Sequence, residues 1–197
     1  MITPQQLLYY ARKRRLDGVA VTDHDRIDGA MKIAKETDFV VIPGMEVSSL
    51  NGHVVALNVH ERIPKGLSAD ETVERIHDAG GIAVASHPGV FLKISLGKHT
   101  SSKFDAVETI NASAFPFRYS TRKSQKIASN LGLARVGGSD AHYGPEIGSA
   151  YTFVDSELDT ERIAEAIRKG LCEAAGGAIP IFTRLKRETL IFGRKLR

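Results

Sequence analysis

The sequence predicts an α/β protein in which parallel strands alternate with the helices that cover them, as an α/β barrel or a doubly wound sheet. Two observations carry this. Short strand-like runs recur between segments of helical periodicity, and several helical segments open on a capping signal or close on glycine. A third observation bounds the size. The chain has 197 residues, 42% hydrophobic and 25% charged, which suits one domain with a tail and a core that needs no crosslinks.

The elements follow in order. Thr3-Pro4-x-Gln6 is a capping box with proline in the first turn, and that helix should stop near Asp17-Gly18. Val19-Ala20-Val21 is a short strand, and a short helix follows over about Asp28–Glu36. Phe39-Val40-Val41-Ile42 is the next strand. Asn51-Gly52 is a hairpin-type turn leading into Val54-Val55-Ala56-Leu57. Ser68-x-x-Glu71 opens a helix that buries Val73 and Ile76 and ends at Gly80-Gly81. Ile82–Ala85 and Val107–Ile110 are strands, a helix runs from about Ser120 to Leu131, and Ala134–Val136 is a further strand. The last helix starts at Asp159 or Thr160, buries Ile163 and Ile167 and stops at Gly170.

Composition excludes several classes. Cys172 is the single cysteine, so there is neither a disulfide framework nor a CxxC metal clip, and a reducing, cytoplasmic location is the expectation. No apolar run approaches the ~18 residues of a membrane span, and the first residues do not read as a signal peptide. The net charge is +4. Arg12–Arg15 form one basic run; Arg184, Lys186, Arg187, Arg194, Lys195 and Arg197 crowd the C-terminus against the single acid Glu188. An anionic partner suits such clusters, and so does plain solvation.

Chemistry concentrates where strands end. Thr22-Asp23-His24-Asp25 follows the first strand, and Pro43-Gly44-Met45-Glu46 follows the second. Ser86-His87-Pro88, Asn111 and Gly138-Ser139-Asp140-Ala141-His142 follow three more. Each alone reads equally as a turn or cap residue. Together, at the C-terminal ends of parallel strands, they converge on the face where barrel active sites form. Three imidazoles and several carboxylates suit Zn, Mn or Fe, and a carboxylate such as Glu46 can bridge two ions. His53, after the hairpin turn, lies near Glu46 across the hairpin as either a site or a structural residue.

In this order these motifs, with Gly52-His53 and Ile147–Thr152, resemble the PHP (polymerase and histidinol phosphatase) domain family over about residues 3–175. The resemblance implies a distorted (β/α)7 barrel, a domain over 1–175 and a basic segment over 176–197. It implies up to three divalent ions. Glu46 and Asp140 would serve one, Glu46 would bridge to a second that includes His87, and His24 and His142 would share a third. Asp23 would orient ligands or move protons, making Asp23, His24 and His142 the catalytic set. His53, Asn111 and Arg122 would meet the substrate, with Arg118 and Lys123 as further phosphate-holding candidates. The chemistry would be phosphate ester hydrolysis by a metal-bound hydroxide.

One departure stands out. The family opens with a strand carrying a His-x-His pair, and this sequence has no His before His24. The first strand is therefore expected to lie upstream of Met1, leaving Val19–Val21 as an apolar edge prone to self-association; the alternative is a divergent member whose first metal site is crippled. The expected substrate is a phosphorylated metabolite, nucleotide or short oligonucleotide. The alternative is a non-catalytic RNA-binding barrel resembling the archaeal RNase P subunit, using the basic tail. No membrane partner is expected, and a homo-oligomer fits the open edge.

Overall fold

The computed structural model describes residues 2–91 and 95–195, with the backbone alone over 191–195. The order is α1 (Pro4–Lys13), β1 (Gly18–Val21), α2 (Asp28–Glu36), β2 (Val40–Ser49), β3 (Gly52–Leu57), α3 (Ala69–Asp78) and β4 (Ile82–Ala85). Then come β5 (Ala106–Asn111), α4 (Phe117–Leu131), β6 (Ala134–Gly138), β7 (Ala150–Val154), α5 (Thr160–Arg168), β8 (Cys172–Gly176) and α6 (Ile181–Lys195).

Both expected capping boxes form. Thr3 and Gln6 exchange bonds at the start of α1, and Ser68 and Glu71 do so at α3. Asp159 caps α5, and α4 ends on Gly132 in the left-handed region. Helix α4 begins one turn earlier than the periodicity predicts, at Phe117.

The main sheet runs in sequence order from β1 to β6. β1 and β2 are parallel, as are β4 with β5 and β5 with β6. β3 runs antiparallel to β2, as the expected hairpin requires, and also to β4, so the strands are not all parallel as an α/β barrel would have them. The two-residue turn at Leu50-Asn51 allows no crossover, so β3 must return beside β2. β7 and β8 form a separate antiparallel pair packed on β6. The fold is thus a mixed α/β half-barrel, a curled sheet rich in parallel pairs.

The sheet is buried on both faces. Met45, Val47, Val54, Ala56, Ala83, Ala85 and Val107 pack outward with Val73 and Ile76 of α3 and Ala128 of α4. Leu57, Ile82, Val84 and Val136 face inward with Ile163 and Ile167 of α5. Double burial explains the unbroken apolar run of β4. β1 is paired with β2 alone among the described residues. The curl brings β1 and β6 to one cavity of about 870 Å³, whose lining passes from Val19, Val21, Val84 and Val136 to Glu46, Asp140 and His142 at the strand ends.

Among the described residues, no helix is long and apolar enough to cross a membrane.

Candidate metal centre

Glu46 is the centre of the site. It lies inside β2, which runs on to Ser49 instead of ending near Ile42 as expected, so it sits within the strand and not past its end, and it is 7% exposed. Its Oε1 accepts from Ser86 Oγ at 3.1 Å and pairs with His87 Nε2 at 3.1 Å. The hairpin supplies a second imidazole. Ser48 faces His53 in the register, so Glu46 and His53 are diagonal neighbours on one face. His53 Nδ1 stands 2.8 Å from Oε1, off the hydrogen-bond line, and so lacks a well-directed partner. A third imidazole comes from the end of β1, where His24 bridges to Glu46 through the backbone and its Nε2 lies 3.7 Å from Oε2. The rings of His24 and His53 are 5.0 Å apart, and those of His53 and His87 are 5.6 Å apart.

Electrostatics follow from this crowding. Burial pushes the Glu46 carboxyl up, but His53 and His87 beside it win, holding it well below the usual carboxylate range. Burial pulls His87 down, and the bond to Glu46 with the charges of Glu108 and Asp140 overcomes it, raising the imidazole to about 9.

A second cluster sits at the ends of β5 and β6. Asn111 Nδ2 donates to Glu108 Oε2 at 3.0 Å and to Asp140 Oδ2 at 3.3 Å. Its Oδ1 accepts from the Ser113 amide. Asn111 is therefore a tether between two carboxylates, with no amide atom left free toward a substrate. Asp140 sits at φ 48° and His87 at φ 32°, both in the left-handed region, which aims these two side chains off the sheet. His142 Nδ1 lies 3.0 Å from the Asp140 carbonyl oxygen and 3.6 Å from its Oδ1, with the ring half-exposed.

Glu108 escapes the sequence reading. Its Oε2 also accepts the His87 amide at 2.8 Å, so it fixes the loop that carries a candidate ligand. A regular strand would place residues 108 and 111 on opposite faces. A register shift between Glu108 and Ile110 puts them on the same side. Loss of water around Glu108 and the nearby Asp140 raise its carboxyl to about 7, against the pull of His87 and Asn111.

Asp23 is exposed on the cavity wall, and its Oδ2 lies against Gly29 at the start of α2. Arg122 is exposed on α4. Asp25 accepts the Ser48 amide and fixes the turn before the hairpin.

The basic C-terminal segment is not a free tail where its side chains are described. Arg184 of α6 donates to the carbonyl oxygens of Ile179, Ser113 and Ala112, the last at 2.7 Å. Arg187 pairs at 3.2 Å with Glu146, which is wholly buried. Glu146 Oε2 in turn accepts the amides of His142 and Tyr143. Helix α6 therefore grips both loops that carry the second cluster. The side chains of Arg194 and Lys195, and all of Arg197, lie outside the described residues.

One imidazole nitrogen or carboxylate oxygen from each of His24, Glu46 and His53 lies within 4.8 Å of the others. Two imidazoles and a carboxylate suit Zn²⁺, Mn²⁺ or Fe²⁺. The buried His53 Nδ1 lacks a well-directed protein partner, an orphan nitrogen that a divalent metal would satisfy, so the residues fit such an ion. The grouping adds His53 to Glu46, His24 and His87, and His142 lies against Asp140, which Asn111 tethers.

Comparisons with known proteins agree with this class of fold. Residues 118–172 match the PHP-associated family model. The chain superposes with a TM-score of 0.72 and 16% identity on a two-domain protein of Bacteroides vulgatus containing a predicted PHP-like metal-dependent phosphoesterase, covering 90% of this chain and 61% of that one. A lesion-specific endonuclease of Pyrococcus furiosus matches with a TM-score of 0.55 and 14% identity, over 87% of this chain and 53% of that one. An uncharacterized Methanocaldococcus jannaschii protein, MJ1587, is 38% identical over 113 residues, which are 55% of this chain and 66% of that protein. The chain thus spans just under two-thirds of this relative. Its fold is similar to that of PHP-like proteins, and its residues 118–172 match the PHP-associated family model.

Proposed function

We propose that the protein is a metal-dependent phosphoesterase, with Glu46 and the imidazoles of His24, His53 and His87 holding a divalent ion and Asp140 with His142 holding another. The observation that carries this is a buried carboxylate inside β2 ringed by three imidazoles. The reading takes the curled sheet as most of a seven-stranded barrel. Divalent ions there would polarise a phosphoryl oxygen and acidify water.

The chain's own residues do the rest. Ser86 and His87 fix the Glu46 carboxylate in one rotamer. Asn111 holds Asp140 toward the cavity, and Glu146 anchors the His142 backbone. His142 and Asp23, both exposed on the cavity wall, can exchange protons with a bound ester. The cavity accommodates a nucleotide-sized ester. Arg184 and Arg187 bond within the fold, so these two cations of the basic segment do not serve the RNA-binding alternative.

The test is hydrolysis of p-nitrophenyl phosphate and of mononucleotides after chelation and readdition of Mn²⁺, Zn²⁺ or Fe²⁺. Activity should vanish with the chelator, return with metal, and fall at least about a hundredfold in Glu46→Gln and His142→Ala. Equal activity in wild type and Glu46→Gln would refute the assignment.

A further inference from the structure

The geometry points to the exposed face of α4, with the aromatic rings beside it, as a binding surface for single-stranded nucleic acid. Helix α4 carries Arg118, Arg122, Lys123 and Lys126 and no acid. Arg118, Arg122 and Lys126 are exposed and spaced four apart, so they share one face, while Ser120, Ser124 and Ala128 bury the other. Like charges at that spacing repel and weaken a helix. Among the described residues, the ion pairs of the chain use other cations. The stripe is uncompensated within the molecule, and a polyanion would relieve it.

Aromatic rings stand beside these charges. Phe91 is 77% exposed, Phe115 76% and Tyr119 48%. The rings of Phe91 and Tyr119 are 6.1 Å apart, and Lys123 Nζ lies 6.0 Å from the Phe91 centroid. Cations next to accessible ring faces match phosphates and unpaired bases together. A duplex hides its base faces, and an acidic peptide gives the rings nothing to stack on. The patch also adjoins the metal centre. Phe91 follows His87 by four residues, and Phe115 follows Asn111 by four. Between His87 and Phe91, the Gly89 amide donates to Ser124 Oγ at 2.9 Å, so this loop lies directly on α4. That a bound strand continues into the metal centre rests on the phosphoesterase reading; the binding itself does not.

The test is fluorescence anisotropy with a labelled oligothymidylate of roughly 15 nucleotides, in chelator, across a salt series. Four phosphate contacts predict a log–log salt slope of about −2.8, and Arg118→Ala/Lys126→Ala should reduce it by about 1.4. Phe91→Ala should weaken binding about tenfold at unchanged slope. Absence of binding at low salt, an unchanged slope in the double variant, or equal binding of duplex DNA or polyglutamate would each overturn the proposal. Because no metal is present, none of these outcomes depends on whether the protein hydrolyses an ester.

Discussion

Arg187→Met removes the cation that faces Glu146, and the structure fixes what this should cost. Glu146 is 0% exposed and the Arg187 side chain is 17% exposed, so the pair is shielded from water. Breaking one side of a buried pair costs about 3–5 kcal/mol, because the remaining charge stays desolvated. A domain of this size has only about 5–15 kcal/mol in total, so the variant should lose about a fifth or more of its stability. Glu146 also holds the His142 and Tyr143 amides, so the loop should loosen and metal affinity should fall with stability. Urea denaturation followed by circular dichroism, with Mn²⁺ calorimetry on the folded fraction, measures both. Glu146→Gln in the Arg187→Met background removes the stranded charge, and its amide oxygen can still accept the His142 amide; part of the loss should return. If Arg187→Met lies within about 1 kcal/mol of wild type, or the double variant recovers nothing, α6 does not clamp this loop.

Two further outcomes follow from single groups. Glu108 titrates near 7 in the folded protein against about 4.5 otherwise, so its stabilising share is full below pH 4.5 and is lost as pH rises through 7. Glu108→Gln should therefore be the more stable protein at pH 8 in chelator, by at most about 3 kcal/mol, with the gain absent at pH 4; urea midpoints at the two values decide this. Gly89→Ala would set a Cβ 2.1 Å from the Ser120 carbonyl oxygen, which is backbone and cannot yield. It should cost about 1–3 kcal/mol and shift the His87 loop, seen as a lower melting temperature with reduced metal content.

Much of the fold is legible in local chemistry. Capping boxes at Thr3 and Ser68 each have one good solution, and the structure adopts it; the hairpin forms too, with its two-residue turn at Leu50-Asn51, one residue before the expected Asn51-Gly52. His24, Glu46 and His53 are legible because strand ends and a hairpin register place them without tertiary knowledge. Glu108 is not, because a bulge breaks the period-two rule that assigns strand faces. The C-terminal segment misleads for a different reason. Its charge reads as solvation, yet Arg184 and Arg187, three apart, share a helix face and reach carbonyl oxygens and a carboxylate from other elements. Pro180 directly before Ile181 is the helix-start signal that could have revealed α6. Glu146 gives no local sign of its burial, since a glutamate in a Gly-Pro-Glu turn is ordinarily solvated.

A divalent ion held by Glu46 and its imidazoles is what the proposed hydrolysis requires. Anomalous diffraction from crystals grown with Mn²⁺ tests it directly. The predicted result is a peak about 2.2 Å from a Glu46 carboxylate oxygen and from an imidazole nitrogen of His24 or His53, absent in Glu46→Gln crystals. A map with no peak at Glu46 while Mn²⁺ is bound elsewhere, or a peak that persists in the variant, would contradict this binding.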